Sequence, residues 1–417
     1  MSSNTTSLNH LTNIVQSRNK NLGLNLSAKQ AVSVPNNLRS EYIIIPSVST
    51  AQFGSYFIFD IKERNTIVSD IIIAFNVTAI TGLTGSVANF PHFSPATFWI
   101  QKCELVMNNV TIDTLYPIQE FISQQFLFED EDRVLINNMQ GAYASQAQRN
   151  TLATTAGSNY YVKLRSLFNE CHLPLLSDSH NLQIRVYMDQ LSNIVNQSSL
   201  TGTAAATINS ANVILKLMKL PADIATNRYN AMIKSPEHSI FHNVRYSPFA
   251  ISSGVSQTTL VLTPFVGNII CLFFVVRNTN ALTGNGAFTF TAIKDFAILD
   301  STSANCVGGQ PIPSALALQY LNSFNCKSSY SSETAIGANI AGTVVNNNAN
   351  VYCWSFSSNL NEALAHGLLL GHRKFLGNEQ LQISFSGTLG ANVQIDVFAY
   401  CQSTLEQGAN YVKVYAL

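Results

Sequence analysis

Short runs of apolar residues, each about the length of a β-strand, follow one another from Glu41 onward and are separated by turn residues. Strands of this length at regular spacing, bounded by turn signals, are typical of a β-sandwich. The clearest predicted strands of the first half are residues 54–61, 67–80, 98–107, 160–167, 182–188 and 213–220. The pattern therefore predicts an all-β protein.

The longest apolar run covers residues 269–276, with the sequence IICLFFVV. Eight residues are far fewer than the ~20 that a membrane-spanning helix needs. A run without polar interruptions is typical of a strand that is buried on both faces. We therefore predict a central strand here and no transmembrane segment.

One helix interrupts the strands of the first half. Pro117 suits the first position of a helix, and Ile118, Phe121, Ile122 and Phe126 follow it at a spacing that forms one apolar face. A similar helix is predicted after Pro311-Ile312-Pro313, with Ala315, Leu316, Tyr320 and Leu321 on its apolar face.

The second half of the chain repeats short sequences of the first half in the same order. Leu-Thr-Gly begins at residues 83 and 282, Leu-Gln-Ile at 182 and 381, and Ala-Asn-Val at 211 and 391. Each match alone is weak, but matches in one order at similar offsets are what a duplicated domain with loop insertions produces. Two unrelated β domains are the alternative.

The predicted organisation is an N-terminal arm (1–40), a first β domain (41–220), a linker (221–236) and a second β domain (237–417). The arm contains four basic residues and no acidic one, so it suits contact with a nucleic acid, a membrane or a neighbouring subunit; an ordinary frayed terminus is the alternative. The linker has apolar residues at loose helical spacing. The polar stretch 328–350 predicts a long exposed loop.

Composition narrows the class of function. Only 11% of the residues are charged, and 23 basic residues balance 23 acidic ones. A net charge of zero argues against a general nucleic-acid binder, which needs excess positive charge. An uncharged polar surface repels itself little and is easily desolvated, so it favours the packing of subunits against one another.

Seven cysteines are present without a CxxC pair, and the chain opens without a basic segment followed by an apolar one. We therefore expect no signal peptide and synthesis in a reducing compartment.

Motifs for catalysis or cofactor binding are absent: the sequence has no Walker A loop, GxSxG, HExxH or EF-hand loop. The acidic cluster 129–132 lacks the spacing of a calcium loop and predicts a solvated turn. His238 and His242 lie in a strand pattern, which separates them by ~13 Å and prevents chelation of one metal. Cys171-His172 has no obvious acid partner, so we do not expect a Cys/His nucleophile. We expect no catalytic, cofactor-binding or metal residues.

Aromatic residues could line a ligand pocket, but packing between two sheets is the simpler interpretation. The residues in question are Phe57, Phe59, Phe75, Phe98, Trp99, Phe273 and Phe274.

Residues 98–117, FWIQKCELVMNNVTIDTLYP, form a predicted strand, turn, strand and helix start. This segment resembles the corresponding stretch of the double jelly-roll major capsid proteins of DNA viruses, especially those of virophages and polinton-like viruses. The resembling positions are the turn at Asn108-Asn109, the pair Ile112-Asp113, and Tyr116 before the helix.

The resemblance implies two consecutive eight-stranded jelly rolls with short helices in their loops. It implies a homotrimer that forms a pseudo-hexagonal capsomer, and capsomers that tile an icosahedral virion with penton and minor capsid proteins. The arm would face the genome or a membrane, the protein would be made in the host cytoplasm, and neither a cofactor nor a small-molecule substrate is expected. The chain is shorter than those of the large nucleocytoplasmic viruses.

Two other classes remain open at this point. A lectin-like or other ligand-binding β-sandwich would keep a pocket with convergent polar groups. An enzyme of the cupin type would need a His/Glu metal set on adjacent strands.

Overall fold

The computed structural model describes residues 39–84, 90, 95–116, 118–120, 138–141, 146–169, 171, 173–196, 201–282, 287, 290–300, 311–313, 350–358, 360 and 371–416. Several predicted features lie outside these residues: the arm before Arg39, the first helix beyond residue 120, the acidic cluster 129–132, the second helix at 315–321 and all but the last residue of the loop 328–350.

The described residues are mostly β-strand. The strands are β1 (Arg39–Pro46), β2 (Tyr56–Ile61), β3 (Thr66–Val77), β4 (Thr81–Thr84), β5 (Ile100–Met107), β6 (Val110–Leu115), β7 (Ser158–Leu164), β8 (Pro174–Leu175), β9 (Leu182–Met188), β10 (Thr201–Ala205), β11 (Ile208–Lys219), β12 (Glu237–Ile251), β13 (Gln257–Val261), β14 (Val266–Asn278), β15 (Asp295–Leu299), β16 (Ile312–Pro313), β17 (Val351–Ser355), β18 (Arg373–Leu376), β19 (Gln380–Ser384), β20 (Val393–Gly408) and β21 (Tyr411–Ala416).

Short helices lie in the connections between strands. They are α1 (Pro95–Phe98), α2 (Gln146–Thr154), α3 (Leu191–Ile194) and α4 (Ala222–Lys234), with 3₁₀ turns at Leu167–Asn169, Asp178–His180 and Thr279–Ala281. Residues 118–120, within the predicted first helix, are also helical. None of the described helices is long and apolar enough to cross a membrane.

The first half of the chain forms two facing antiparallel sheets, which we call the first roll. One sheet has the strand order β1-β11-β3-β7, and the other has the order β2-β9-β5-β6. The chain crosses between the two sheets from β1 to β2 to β3, keeps the hairpin β5-β6 within one sheet, and crosses again from β6 to β7, which is the connectivity of a jelly roll. Strand β8 adds to the end of β3, and β4 pairs with β10 in a separate ribbon.

The second half repeats this arrangement in strands β12 to β20 as the second roll, and β21 adds to the end of β20. Its sheets have the orders β12-β20-β14-β17 and β13-β19-β15-β16, and β18 adds to β14 as β8 adds to β3. The repeated Leu-Gln-Ile lies in the equivalent strands β9 and β19, and the repeated Ala-Asn-Val lies in β11 and at the start of β20. The predicted fold class, two consecutive jelly rolls with short helices in loops, is confirmed.

The turn predicted at Asn108-Asn109 connects β5 and β6 into a hairpin. Asn108 and Asn109 both have positive φ, 49° and 61°. Two consecutive left-handed residues define a type I′ turn, whose twist matches that of the flanking strands, and Asn tolerates this conformation better than other residues with a Cβ. Met107 therefore pairs directly with Val110.

Strand β14 is buried on both faces, as the apolar run predicts. Leu272, Phe274 and Val276 point into the core between the two sheets of the second roll. Phe273 and Val275 alternate with them and join the core cluster that contains the first roll. The two rolls thus share a continuous buried region.

The singled-out aromatic residues are core residues. Phe57, Phe59, Phe75 and Trp99 pack as neighbours inside the first roll, with ring centroids 5.4 to 6.3 Å apart. Phe273 and Phe274 are equally buried in the second roll. The interpretation as packing between sheets is confirmed for these residues.

Several predicted boundaries were wrong for local reasons. Phe98 ends helix α1 rather than starting a strand, because Pro95 suits the first turn of a helix. The strand predicted from Gly54 begins at Tyr56, since Gly54 has φ 76° and belongs to a turn. The strand predicted at 160–167 ends at Leu164, and that at 67–80 ends at Val77.

Two further predictions, the start of β11 and the lead-in to the second helix, differ from the structure because strand pairing rather than apolar content determines the conformation there. Strand β11 begins at Ile208, before its apolar stretch, because Asn and Ser residues pair with β3 there. Residues Ile312–Pro313, the lead-in to the predicted second helix, form strand β16 against β15.

Candidate functional site: the seam between the two rolls

The sequence candidates for chemistry do not converge. His238 and His242 lie on strand β12, as predicted, and among the described residues no group of three His, Cys, Asp or Glu side chains could hold a metal ion. Cys171 is buried, with its Sγ 3.5 Å from the carbonyl oxygen of Ile240; His172 and the cluster 129–132 lie outside the described residues. The polar groups that do converge lie where the two rolls meet.

We call this contact region the seam. On the first roll it comprises residues 113–116, 118–119, 167–169, 171 and 173–181, and on the second roll it comprises the facing parts of β12, β14, β20 and β21. Side chains donate hydrogen bonds across it, among them Gln119 Nε2 to the Tyr400 hydroxyl oxygen (2.7 Å), Ser177 Oγ to the Ala409 carbonyl (2.8 Å) and Gln407 Nε2 to the Pro174 carbonyl (2.7 Å).

Aromatic rings form the apolar centre of the seam. The ring of Tyr116, which follows β6, lies with its centroid 5.0 Å from that of Tyr246 on β12. Tyr246 in turn stacks on Phe398 of β20 at 4.8 Å with an interplanar angle of 18°. Tyr116, which the sequence analysis named as a resembling position, therefore contacts the opposite roll.

A cleft lies on each side of the Tyr116–Tyr246 contact. One, of ≈ 390 Å³, is lined in part by Phe98, Arg277 and Phe398, and the other, of ≈ 310 Å³, in part by Asp113 and Pro264. Both volumes are near the lower end of the range for small-molecule pockets, about 300–1,000 Å³.

A buried carboxylate organises the second-roll side of the seam. Asp396 on β20 is fully buried and accepts hydrogen bonds from Arg277 Nε (2.5 Å), the Tyr246 hydroxyl (2.7 Å) and Gln394 Nε2 (2.7 Å). A buried charge is tolerated when an opposite charge and several donors surround it. Burial and the Asp396 carboxylate raise the pKa of Tyr246, so this phenol remains the hydrogen-bond donor.

His180 connects the rolls through its imidazole ring. Its Nδ1 accepts the backbone N–H of Leu176 (3.2 Å), so Nε2 carries the proton and donates to the carbonyl oxygen of Gly408 on β20 (2.8 Å). The ring is buried, and this burial lowers the pKa of His180, partly opposed by the Gly408 carbonyl. The neutral ring fits both contacts.

Asp113, another resembling position, shapes the first-roll side of the seam. Its Oδ2 accepts the backbone N–H of Leu167 and its Oδ1 accepts that of Thr114, both at 2.9 Å. The carboxylate therefore ties the 3₁₀ turn Leu167–Asn169 to β6, and this turn packs against β12.

Helix α4 spans the predicted linker and is fixed to the second roll. The guanidinium of Arg228 makes two parallel hydrogen bonds to the carboxylate of Glu237, at 2.7 and 2.6 Å. Glu237 is the first residue of β12, so this ion pair fixes the helix next to the first strand of the second roll.

Sequence reasoning missed the polar centre of the seam. Arg277 and Asp396 are 119 positions apart, and neither lies in a motif. A signal was present, because Arg277 directly follows the apolar run of β14 and Asp396 interrupts the mostly apolar first half of β20, and buried charges need partners. The sequence of a single chain does not indicate which residue pairs with a given buried charge.

The strand orders define the class of fold: two jelly rolls in one chain, packed through a buried seam, are a double jelly roll. The chain is similar in structure to PBCV-1 VP54, with a TM-score of 0.64 and 16% identity, over 91% of this chain and 98% of that one. It is similar to the Faustovirus major capsid protein, with a TM-score of 0.64 and 9% identity, over 98% and 99%. It is also similar to the mavirus major capsid protein, with a TM-score of 0.51 and 12% identity, over 94% and 92%.

At these identities the likeness concerns the fold. It covers nearly the whole chain and confirms the double jelly-roll architecture implied by residues 98–117. No protein-family model matches the sequence, and no curated protein matches it.

Proposed function

We propose that this chain is the major capsid protein of an icosahedral DNA virus, and that three copies form a pseudo-hexagonal capsomer. The observation that carries the proposal is the repetition of one jelly roll, strand by strand, within a single chain. Two similar domains supply two edges of a hexagon, so three-fold symmetry supplies six. The structural likeness to viral major capsid proteins supports the same function.

The proposed domain bounds are those expected from the sequence: an arm at 1–40, rolls at 41–220 and 237–417, and a linker at 221–236. The position of α4 between β11 and β12 supports the linker. The start of β1 at Arg39 supports an arm that ends near residue 40.

The proposed partners are other copies of the chain, first within the trimer and then in neighbouring capsomers. Penton and minor capsid proteins complete the shell, and the arm contacts the genome or a membrane beneath it. In this role the protein is made in the host cytoplasm, resides in the virion and needs neither catalysis nor a cofactor. Its surface composition, with few charges to desolvate, supports extensive lateral contacts.

The test is the mass and shape of the purified full-length protein. Light scattering at micromolar concentration should give three times the chain mass of 45.6 kDa, and negative-stain images should show hexagonal particles. A monomer at micromolar concentration would refute the capsomer. Binding of a defined sugar on a glycan array by a monomeric protein would instead favour the ligand-binding β-sandwich.

A further inference from the structure

The larger of the two seam clefts combines an aromatic wall with polar side chains that keep hydrogen-bonding capacity. The rings of Tyr116, Tyr246 and Phe398 form the wall, and the hydroxyl bond to Asp396 holds Tyr246 in place. The volume of ≈ 390 Å³ is sufficient for a small ligand. The polar groups of the cleft therefore decide which ligand fits.

Asp189, directly after β9, supplies an acceptor to this cleft. Its Oδ1 accepts hydrogen bonds from the backbone N–H of Gln190 (2.7 Å), from Asn193 Nδ2 (2.9 Å) and from Gln101 Nε2 (3.2 Å). These three bonds fix the orientation of the carboxylate and leave its Oδ2 unused. Among the described residues, no cationic side chain forms an ion pair with Asp189.

Arg277 supplies donors to the same cleft. Its side chain is only 8% exposed, and its Nε donates to the Asp396 carboxylate, which balances its charge. The Nη groups make no hydrogen bond to any residue that the structure describes, and they are not among its sealed, unbonded polar atoms. Because Arg277 lines the cleft, these N–H groups are available to a ligand there.

The ligand must therefore donate a hydrogen bond, accept another and present an apolar face. An organic cation suits Asp189 but brings its charge near the guanidinium of Arg277, and an anion suits Arg277 but meets the carboxylate of Asp189. A neutral sugar ring suits both, because each hydroxyl group donates once and has two acceptor lone pairs. The C–H groups of such a ring can pack on the aromatic wall.

We propose that this cleft binds a neutral sugar ring. Its hydroxyl groups donate to Asp189 Oδ2 and accept from the Nη groups of Arg277, and its C–H face lies against Tyr116 and Tyr246. The class of ligand follows from the cleft alone and does not depend on the proposed trimer.

The position of the cleft in the fold indicates the source of the sugar. Asp189 accepts the N–H of Gly54 in the connection after β1, and Arg277 is linked through Gln394 to the end of β12. Helix α4 lies at the other end of the rolls, where β1 and β12 begin. In the proposed shell the arm before β1 lies beneath, so the cleft faces outward, towards host-surface glycans. This source, unlike the ligand class, rests on the proposed function.

The first experiment measures sugar binding by the purified full-length protein. Saturation-transfer NMR with a panel of methyl glycosides of common hexoses should find at least one with a Kd of about 1 mM or tighter. Asp189→Asn should weaken this binding at least about tenfold, because the amide keeps Oδ1 but replaces the acceptor Oδ2 with a donor. Asp178→Asn is the matched control, since it removes an exposed carboxylate outside the cleft and should leave the affinity unchanged.

A second variant fills the cleft without touching its polar groups. Leu282 is half-buried in the lining, so Leu282→Trp should abolish detectable binding of the same glycoside. Circular dichroism checks that each variant keeps the wild-type β spectrum. Tryptamine is measured alongside as a cationic probe with an aromatic body.

The outcomes separate this inference from the proposed function. Failure of every glycoside to bind, binding of tryptamine alone, or binding that both Asp189→Asn and Leu282→Trp leave at the wild-type affinity would overturn the sugar site. Light scattering on the same samples reports the trimer. A trimer that binds no sugar contradicts the inference alone, whereas a monomer that binds sugar through the cleft contradicts the capsomer and keeps the site.

Discussion

Arg277 and Asp396 form an ion pair between neighbouring strands β14 and β20, with the carboxylate wholly buried. The pair lies in the second roll, yet the Tyr246 hydroxyl that also binds Asp396 belongs to the ring that contacts Tyr116 of the first roll. The stability of the second-roll sheet and the position of the seam are thereby linked through one carboxylate.

Asp396→Asn should strongly destabilise the protein, because it leaves the Arg277 guanidinium buried without a counter-charge. Loss of one partner of a buried pair costs about 3–5 kcal/mol. The measurement is the urea concentration at the midpoint of unfolding.

The matched control for this change is Asp178→Asn. Asp178 also pairs with an arginine, Arg64 at 3.0 Å, but its side chain is fully exposed, so the change should have little effect on the midpoint. Equal shifts for the two variants would mean that the Arg277–Asp396 pair is effectively solvated.

His180 should make stability depend on pH. Burial lowers its pKa below the ordinary 6.5, so the unfolded chain binds the proton more tightly than the folded one. Its contribution to stability is complete above pH 6.5 and is lost as the pH falls through the lowered folded pKa. The protonated ring would also direct an Nδ1–H at the Leu176 N–H.

The measurement for this prediction is the thermal midpoint of wild type and His180→Gln between pH 7.5 and pH 5. The wild-type midpoint should fall more steeply on acidification than that of the variant. Parallel curves would show that His180 does not contribute, and that other groups cause the acid sensitivity.

At the turn between β5 and β6, the effect of a substitution on stability should depend on how well the new residue tolerates positive φ. Asn109 has φ 61°, so Asn109→Val should lower the free energy of unfolding by about 1–2 kcal/mol, because a Cβ, and above all a branched one, is strained there. Asn109→Gly should be neutral or stabilising. Thermal midpoints of both variants test this; similar losses for Val and Gly would indicate that the Asn side chain matters more than its φ.

Deletion of residues 1–38 should leave trimers intact and impair the formation of shells. The reason is that the sequence of the arm has too few apolar residues to form a firm interface by itself, and β1 retains all of its pairing to β11 without it. Light scattering measures the trimer, and electron microscopy of assembly reactions counts shells. A monomeric deletion variant would place the arm in the trimer interface instead.

The pattern of apolar and polar residues predicted the strands whose own side chains show which faces are buried. Strand β9 (Leu182–Met188) has strict alternation and matches its predicted bounds, and β14 contains the apolar run 269–276 and is central in its sheet. The ribbon of β4 and β10 was missed because its Gly, Thr and Ala residues carry no apolar period; its strands form by pairing with each other. The same holds for Arg277 and Asp396, whose contact depends on the register of two strands that are distant in sequence.

Strand β20 lies between β12 and β14, although it is made more than a hundred residues after either of them. During synthesis the first roll can close once β11 has left the ribosome, whereas the second roll must wait for nearly the last residues of the chain. Until then β12 and β14 have open edges and exposed apolar faces, which are prone to pair with other chains. A ribosome that stops before Val393 would therefore release a polypeptide with one finished half and one aggregation-prone half.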